Sequence, residues 1–276
     1  MRYGIRVIGV QPLPGDPRQA CRAPWAGRLP RGDLAAVYFG SEFCEDALPT
    51  PRAARELCAL GEERGLEAVV LTPMVTDRGL AGVGRLLDAL AGRPRPPSVV
   101  FNDWGVLGLL RERFPHLRRR GGRLLNRSLR DPRGNPFPPP GPPEGGPPVR
   151  AQRLRRLLRA AGAVALETDP DALGGYLGEG DEGLERTLHL PYAFAASGRN
   201  CLVRAAGSPE GGFVRALGRP CEGRPCGAGP RRVAREDTPV PLWRAGNTVF
   251  QEAPEAWVRA QLGQTDRIVV HPYPAP

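Results

Sequence analysis

Short apolar runs recur along this chain with helical patterns between them, and that alternation limits it to a small set of folds. Tyr3–Val10, Leu34–Gly40, Ala68–Leu71 and Ser98–Phe101 read as strands, the later ones as continuous apolar runs of the kind buried on both faces. Leu117–Leu125 is a weaker strand, interrupted by the run Arg118–Arg120. Ala163–Glu167, Thr187–Ala193 and Arg267–Val270 complete the series. Helical periodicity fills the gaps. Pro51 follows Thr50 at a helix start, with Ala54, Leu57, Cys58 and Gly61 on one face. Leu80, Val83, Leu87 and Leu90 form a second apolar face, and Asp103 caps a third helix carrying Val106, Leu107 and Leu110. Leu154, Leu157, Leu158 and Ala161 mark another helix, Asp169-Pro170 starts a short one, and Trp257, Val258, Gln261 and Leu262 mark the last. Strands alternating with helices predict a parallel sheet with right-handed crossovers. About eight such units suffice to close a barrel, and an open sheet is the alternative. The expectation is a single α/β domain over residues 1–276, a parallel (β/α) barrel, complete or irregular.

Two segments stand apart from that pattern. Residues 134–149 are proline-rich (PFPPPGPPEGGPP from Pro136 to Pro148) and suit neither a helix nor a central strand, so they read as a surface excursion. Residues 198–230 are rich in cysteine, glycine and arginine.

The unusual polar residues follow strands: Cys44, Thr72, Asn102, Asp103, Arg123, Asn126, Glu167 and Cys201. Parallel α/β folds bind ligands outside the carboxyl ends of their strands, so one cleft would collect them. Cys44, Cys201, Cys221 and Cys226 read as one metal site. Thiolates suit zinc or an iron–sulfur cluster, and scattered single ligands on a preformed fold suit a cluster. Spacing alone leaves cluster, zinc and unligated thiols open. Cys58 falls on an inward helix face, and Cys21 lies in a loop as a spare thiol or substitute ligand.

Composition bears on location and partners. The net charge is +10, and the chain has no lysine, so all 39 basic side chains are arginines. Such a surface favours nucleic acid or anionic substrates, although the arginine, alanine, glycine and proline excess also fits a GC-rich coding bias. No stretch approaches the roughly 18 apolar residues of a membrane span, and the amino terminus lacks a signal-peptide pattern. Both features predict a cytoplasmic protein, where cysteines serve packing or metal binding more than disulfides.

Three stretches carry a resemblance. VYFGSEFC (Val37–Cys44), NDWGVLGLLRERFPHLRRRGGRLLNRSLRDPR (Asn102–Arg133) and HLPYAFAASGRNC (His189–Cys201) resemble elements of the family long called collagenase-like peptidases. That family includes UbiU and UbiV, the paired proteins of oxygen-independent ubiquinone biosynthesis, and relatives that hydroxylate uridine in transfer RNA. The cysteine arrangement is similar to that of UbiV-like members. The resemblance therefore implies a [4Fe–4S] cluster on Cys44, Cys201, Cys221 and Cys226, a part in oxygen-independent hydroxylation, and a heterodimer with a second family member. The chain departs from the UbiV pattern in three places. Four residues separate Cys221 from Cys226 where three are usual, Glu45 and Asp46 follow Cys44 in place of basic residues, and the proline-rich excursion is extra.

Each remaining candidate has two readings. His189 polarises substrate or shuttles protons, or is a satisfied core histidine. Glu167 is a general base or an arginine's partner, and the partner is favoured. Asp103 holds substrate or caps its helix, and the cap is favoured. Arg123, Asn126 and Arg199 suit a substrate-binding set, because a guanidinium grips a carboxylate in a bidentate fork. Such a set implies an anionic or aromatic small molecule, and the family's hydroxylases are thought to take oxygen from prephenate, a dicarboxylate. Either arginine is otherwise a structural ion pair. The run Arg118–Arg120 reads as a solvated edge. A transfer RNA substrate, a structural zinc or cluster in a partner protein without its own activity, and a peptidase are the alternative functions. No Ser-His-Asp arrangement or His-Glu-x-x-His motif appears for the last of these.

Overall fold

A computed structural model describes residues 1–126, 152–171, 183–199, 201, 204, 221, 229–238 and 240–275. Eight strands close a barrel: β1 (Arg2–Arg6), β2 (Asp33–Gly40), β3 (Glu67–Leu71), β4 (Ser98–Phe101), β5 (Arg119–Gly121), β6 (Ala163–Thr168), β7 (Glu185–Leu190) and, near the carboxyl end, Arg267–Val270. Every neighbouring pair in the barrel is parallel. The crossovers carry α1 (Pro51–Glu63), α2 (Asp77–Ala91), α3 (Trp104–Glu112) and α4 (Gln152–Ala160). The expected closed barrel is therefore present.

The first three helices each start where a side chain caps them. The Thr50 hydroxyl accepts from Ala53 N, Thr76 from Gly79 N, and Asp103 from Gly105 N. The apolar faces of α1 and α2 pack on the outer faces of β1–β3, where Leu57, Cys58, Leu86 and Leu90 meet Ile5, Val37, Phe39 and Val70. The alternate residues Ala36, Tyr38, Val69, Leu71 and Val100 point into the barrel with Val269 of the last strand.

Three strand expectations need correction. Leu117–Leu125 is a strand only over Arg119–Gly121, and Arg123–Leu125 forms a 3-10 turn. The first strand stops at Arg6, because beyond Val7 the chain leaves its neighbour and Ile8 and Val10 stand exposed. The run expected over Thr187–Ala193 is two strands. Pro191 has no N–H to continue the ladder, and the chain departs there, through a cis Leu190–Pro191 peptide, into β8 (Tyr192–Ser197). That strand begins a second sheet, antiparallel, in the order β8–β11–β10–β9, with β9 Arg231–Val233, β10 Leu242–Ala245 and β11 Thr248–Glu252. Helix α5 (Glu255–Leu262) then leads back to β12 (Arg267–Val270). Phe43, Leu124, Tyr192, Phe194, Ala245 and Phe250 form a separate apolar cluster that fastens the small sheet to the loops after β2 and β5. Phe43 is its hinge point, with its ring centroid 5.4 Å from that of Phe194 and 5.3 Å from that of Phe250.

The proline-rich excursion at 134–149, the short helix expected after Asp169-Pro170, Cys226 and most of the segment 198–230 lie outside the described residues. Among the described residues, no helix is long and apolar enough to cross a membrane.

Candidate metal centre at the barrel mouth

Cys44 sits on the loop after β2. Gly40, at φ 111°, turns the chain out of the barrel, Ser41 N donates to Leu71 O, and the Ser41 hydroxyl accepts from Cys44 N at 3.2 Å. Asn247, in the turn between β10 and β11, joins this loop to the end of β8: its side-chain amide donates to Phe43 O at 2.5 Å and to Gly198 O at 2.7 Å. Those carbonyls precede Cys44 and Cys201 closely in sequence. Cys221 N donates to the Asp46 carboxylate at 3.1 Å. As a result Cys44, Cys201 and Cys221, scattered along the chain, line one cavity of about 260 Å³ together with Phe43, Met74 and Arg199. Removing the bridging amide tests this arrangement. Asn247→Ala is expected to cost about 1–2 kcal/mol for two hydrogen bonds, read as a lower thermal midpoint, and to speed alkylation of Cys44 and Cys201.

The acidic pair after Cys44 has a structural role. The Glu45 carboxylate accepts from Thr76 N at 2.7 Å, at the start of α2, and Arg78 bridges Glu45 and Asp46 at 2.7 and 2.8 Å. Asp46 in turn holds Cys221. Basic residues at these positions would repel Arg78 and lose the favourable contact with the helix amino terminus. The remaining cysteines among the described residues are core residues. Burial pushes the Cys21 and Cys58 thiols up to about 11, so both stay protonated and poor ligands.

Below the mouth, one wall of the barrel interior is charged. Arg120 is fully buried on β5, donating to Glu167 at 2.5 Å, Glu185 at 2.6 Å and the Thr187 hydroxyl at 2.8 Å. Arg267 reaches Glu67 at 2.8 Å and Glu185 at 3.0 Å. Nearer the mouth, His189 contacts Glu167 through Nε2 at 2.7 Å and His271 Nε2 through Nδ1 at 2.7 Å. Arg123 grips the Glu42 carboxylate in a fork and donates to Asp169 at 2.7 Å. These buried arginines and carboxylates thus pair off, as burial requires.

Each residue singled out from the sequence has a definite set of contacts. Arg120 is no solvated edge: the arginine that weakens the strand prediction points inward and anchors three partners, while Arg118 alone of that run is exposed. Glu167 is an arginine partner and Asp103 a helix cap whose second oxygen accepts from Val75 N. Arg123 lies in a structural ion-pair network, committed to two carboxylates. His189 is a buried histidine with both ring nitrogens engaged. Asn126 is buried beside the end of β5. Arg199 is exposed at the thiol-lined cavity and donates to Val75 O at 3.3 Å. Glu42, His271 and Asn247 escaped the sequence reading, as did Arg6, which is buried at the end of β1 and donates to Gly40 O at 2.5 Å. His271 follows the last strand just as Cys44 and Asn102 follow theirs, a signal that was available; nothing in the turn sequence distinguishes Asn247.

Burial alone would raise the Glu167 carboxyl, but Arg120 and the hydrogen bond to His189 outweigh it and hold the group at about 2, against an ordinary 4.5. A depressed carboxyl contributes stability that is present above its unfolded pKa and lost as pH falls toward the folded one. The urea midpoint is therefore expected to fall between pH 4.5 and about 2, and Glu167→Gln is expected to flatten that part of the profile. His271 is held well below the usual histidine range by burial, then by Arg123, His189 and Arg6, so its imidazole stays neutral.

No family model matches the sequence, and no curated protein matches it. Among solved structures, the U32 peptidase Mk0906 is similar with a TM-score of 0.45 and 12% identity, over 98% of this chain and 92% of that one. A glycoside hydrolase family 18 N-acetylglucosaminidase from Paenibacillus barengoltzii gives a TM-score of 0.18 at 11% identity, over 86% and 65% of the two chains.

Proposed function

We propose that this chain is an iron–sulfur protein of the collagenase-like peptidase family, with Cys44, Cys201, Cys221 and Cys226 holding a [4Fe–4S] cluster. In this reading it acts in the cytoplasm in an oxygen-independent hydroxylation, with a second family member as partner. The observation that carries the reading is the gathering of three of the four thiols around one cavity. In a cluster each thiolate binds a different iron, which suits ligands drawn from separate segments of the chain. Bound there, a cluster would supply one-electron redox chemistry or Lewis acidity.

The chain's own residues have definable parts. Phe43 and Met74 give the cavity an apolar wall that limits water. Arg199 stands beside the thiols, placed to take the carboxylate of an anionic aromatic substrate in a fork. The buried charge network holds the strand ends in register below the mouth. The test is genetic and chemical. In anaerobic cells whose only copy carries Cys201→Ala, the unhydroxylated quinone precursor is expected to accumulate; an unchanged quinone profile refutes the hydroxylation reading.

The exposed face of α4 favours a second substrate class. Arg153, Arg156 and Arg159 lie on it, with Arg118 on the strand approach of β5. A transfer RNA substrate would bind with an affinity that falls steeply with salt. Binding of transfer RNA that is insensitive to Arg153→Ala and Arg156→Ala would exclude this face.

A further inference from the structure

We propose that Glu42, His189 and His271 form a second metal site, inside the barrel, for one divalent first-row transition ion. The site is independent of the cysteines. Its three ligand atoms all lie within 4.8 Å of one another and all three residues are buried. The fold brings them together from three barrel strands. His189 is the penultimate residue of β7, His271 directly follows β12 and donates its backbone N–H to Leu190 O at 2.7 Å, and Glu42 lies just past β2.

Two imidazoles and one carboxylate are a borderline donor set that suits zinc, iron(II) or cobalt(II), and three protein ligands leave a position for water or a substrate oxygen. A further contact points the same way. Glu167, ion-paired with Arg120, lies with a carboxylate oxygen 2.7 Å from His189 Nε2. That bond places the His189 proton on Nε2 and turns the Nδ1 lone pair toward His271, as in the carboxylate–histidine–metal arrangement that orients metal-bound imidazoles. Without an ion, His271 Nε2–H donates to His189 Nδ1 at 2.7 Å. With one, that proton moves to Nδ1 of His271 or leaves, and the two nitrogens open to about 3.3 Å, the separation set by metal–nitrogen bonds of about 2.0–2.1 Å. The carboxylate of Glu42 keeps its fork to Arg123 and offers the metal its remaining lone pairs.

The charges around the site set its limits. Arg6 and Arg123 oppose a cation, while Glu42, Glu167 and Asp169 offset them. Because every ligand is buried, the ion loads as the chain folds. The test is expression of the full chain in cobalt-supplemented medium with Cys44→Ala, Cys201→Ala, Cys221→Ala and Cys226→Ala combined. The expected result is one cobalt per chain with nitrogen and oxygen but no sulfur neighbours by X-ray absorption. His271→Gln is expected to lower cobalt content at least tenfold, and Glu167→Gln to weaken affinity about 10–100-fold. Absence of retained cobalt, or equal retention by a folded His271→Gln variant, overturns the proposal. If the cysteine-free chain does not fold, the wild-type chain decides: cobalt-shifted ring N–H resonances from His189 and His271 support the site, and unshifted ones overturn it.

Discussion

Arg120→Met is expected to destabilise the protein by about 3–5 kcal/mol, because it leaves buried carboxylates without their partner. Arg120 is completely buried and its guanidinium serves Glu167 and Glu185, carboxylates from two different strands. Methionine fills much of the same volume, so the loss reports on charge more than on packing. Guanidinium denaturation is the measurement, and a shift of the midpoint at unchanged slope is the expected form. The double change Arg120→Met with Glu167→Leu should recover part of the loss, since a buried pair replaced as a unit is tolerated better than one broken. Arg113→Ala gives the contrast. Its pair with Asp88, at 2.9 Å, is about half exposed on both sides, and its loss should cost under about 1 kcal/mol.

Gly40→Ala is expected to cost about 2–4 kcal/mol, combining a strained backbone with overpacking. The glycine has φ 111°, and a Cβ there would meet Leu71 O at 2.3 Å and Leu71 N at 2.9 Å. Both are backbone atoms of the neighbouring barrel strand, so no side-chain rotation relieves the contact. Relief requires moving the loop that carries Glu42 and Cys44. The same substitution should therefore lower metal content at the barrel mouth as well as the thermal midpoint, a coupled effect that a purely local strain would not produce.

The barrel was legible because its strands are continuous apolar runs with helical periodicity between them. Val37–Phe39, Val69–Leu71 and Val99–Phe101 are buried on both faces and look it. The interior wall of β5–β7 was not legible. A buried arginine is indistinguishable from a surface one until its partners are placed, and those of Arg120 lie 47 and 65 residues further along the chain. The small antiparallel sheet was missed for a different reason. Its first strand follows a barrel strand with only Pro191 between them, so two short strands in different sheets read as one long one. At the site, the cysteines announced themselves by type, but the device that aligns two of their segments, the Asn247 amide, is an ordinary turn residue.

The most direct test is the iron and acid-labile sulfide content of anaerobically purified protein, compared between wild type and Cys201→Ala. The account predicts about four irons and four sulfides per wild-type chain, with both lost from the variant. Stoichiometric zinc without sulfide, or a chain carrying no metal that Cys201 influences, would contradict it.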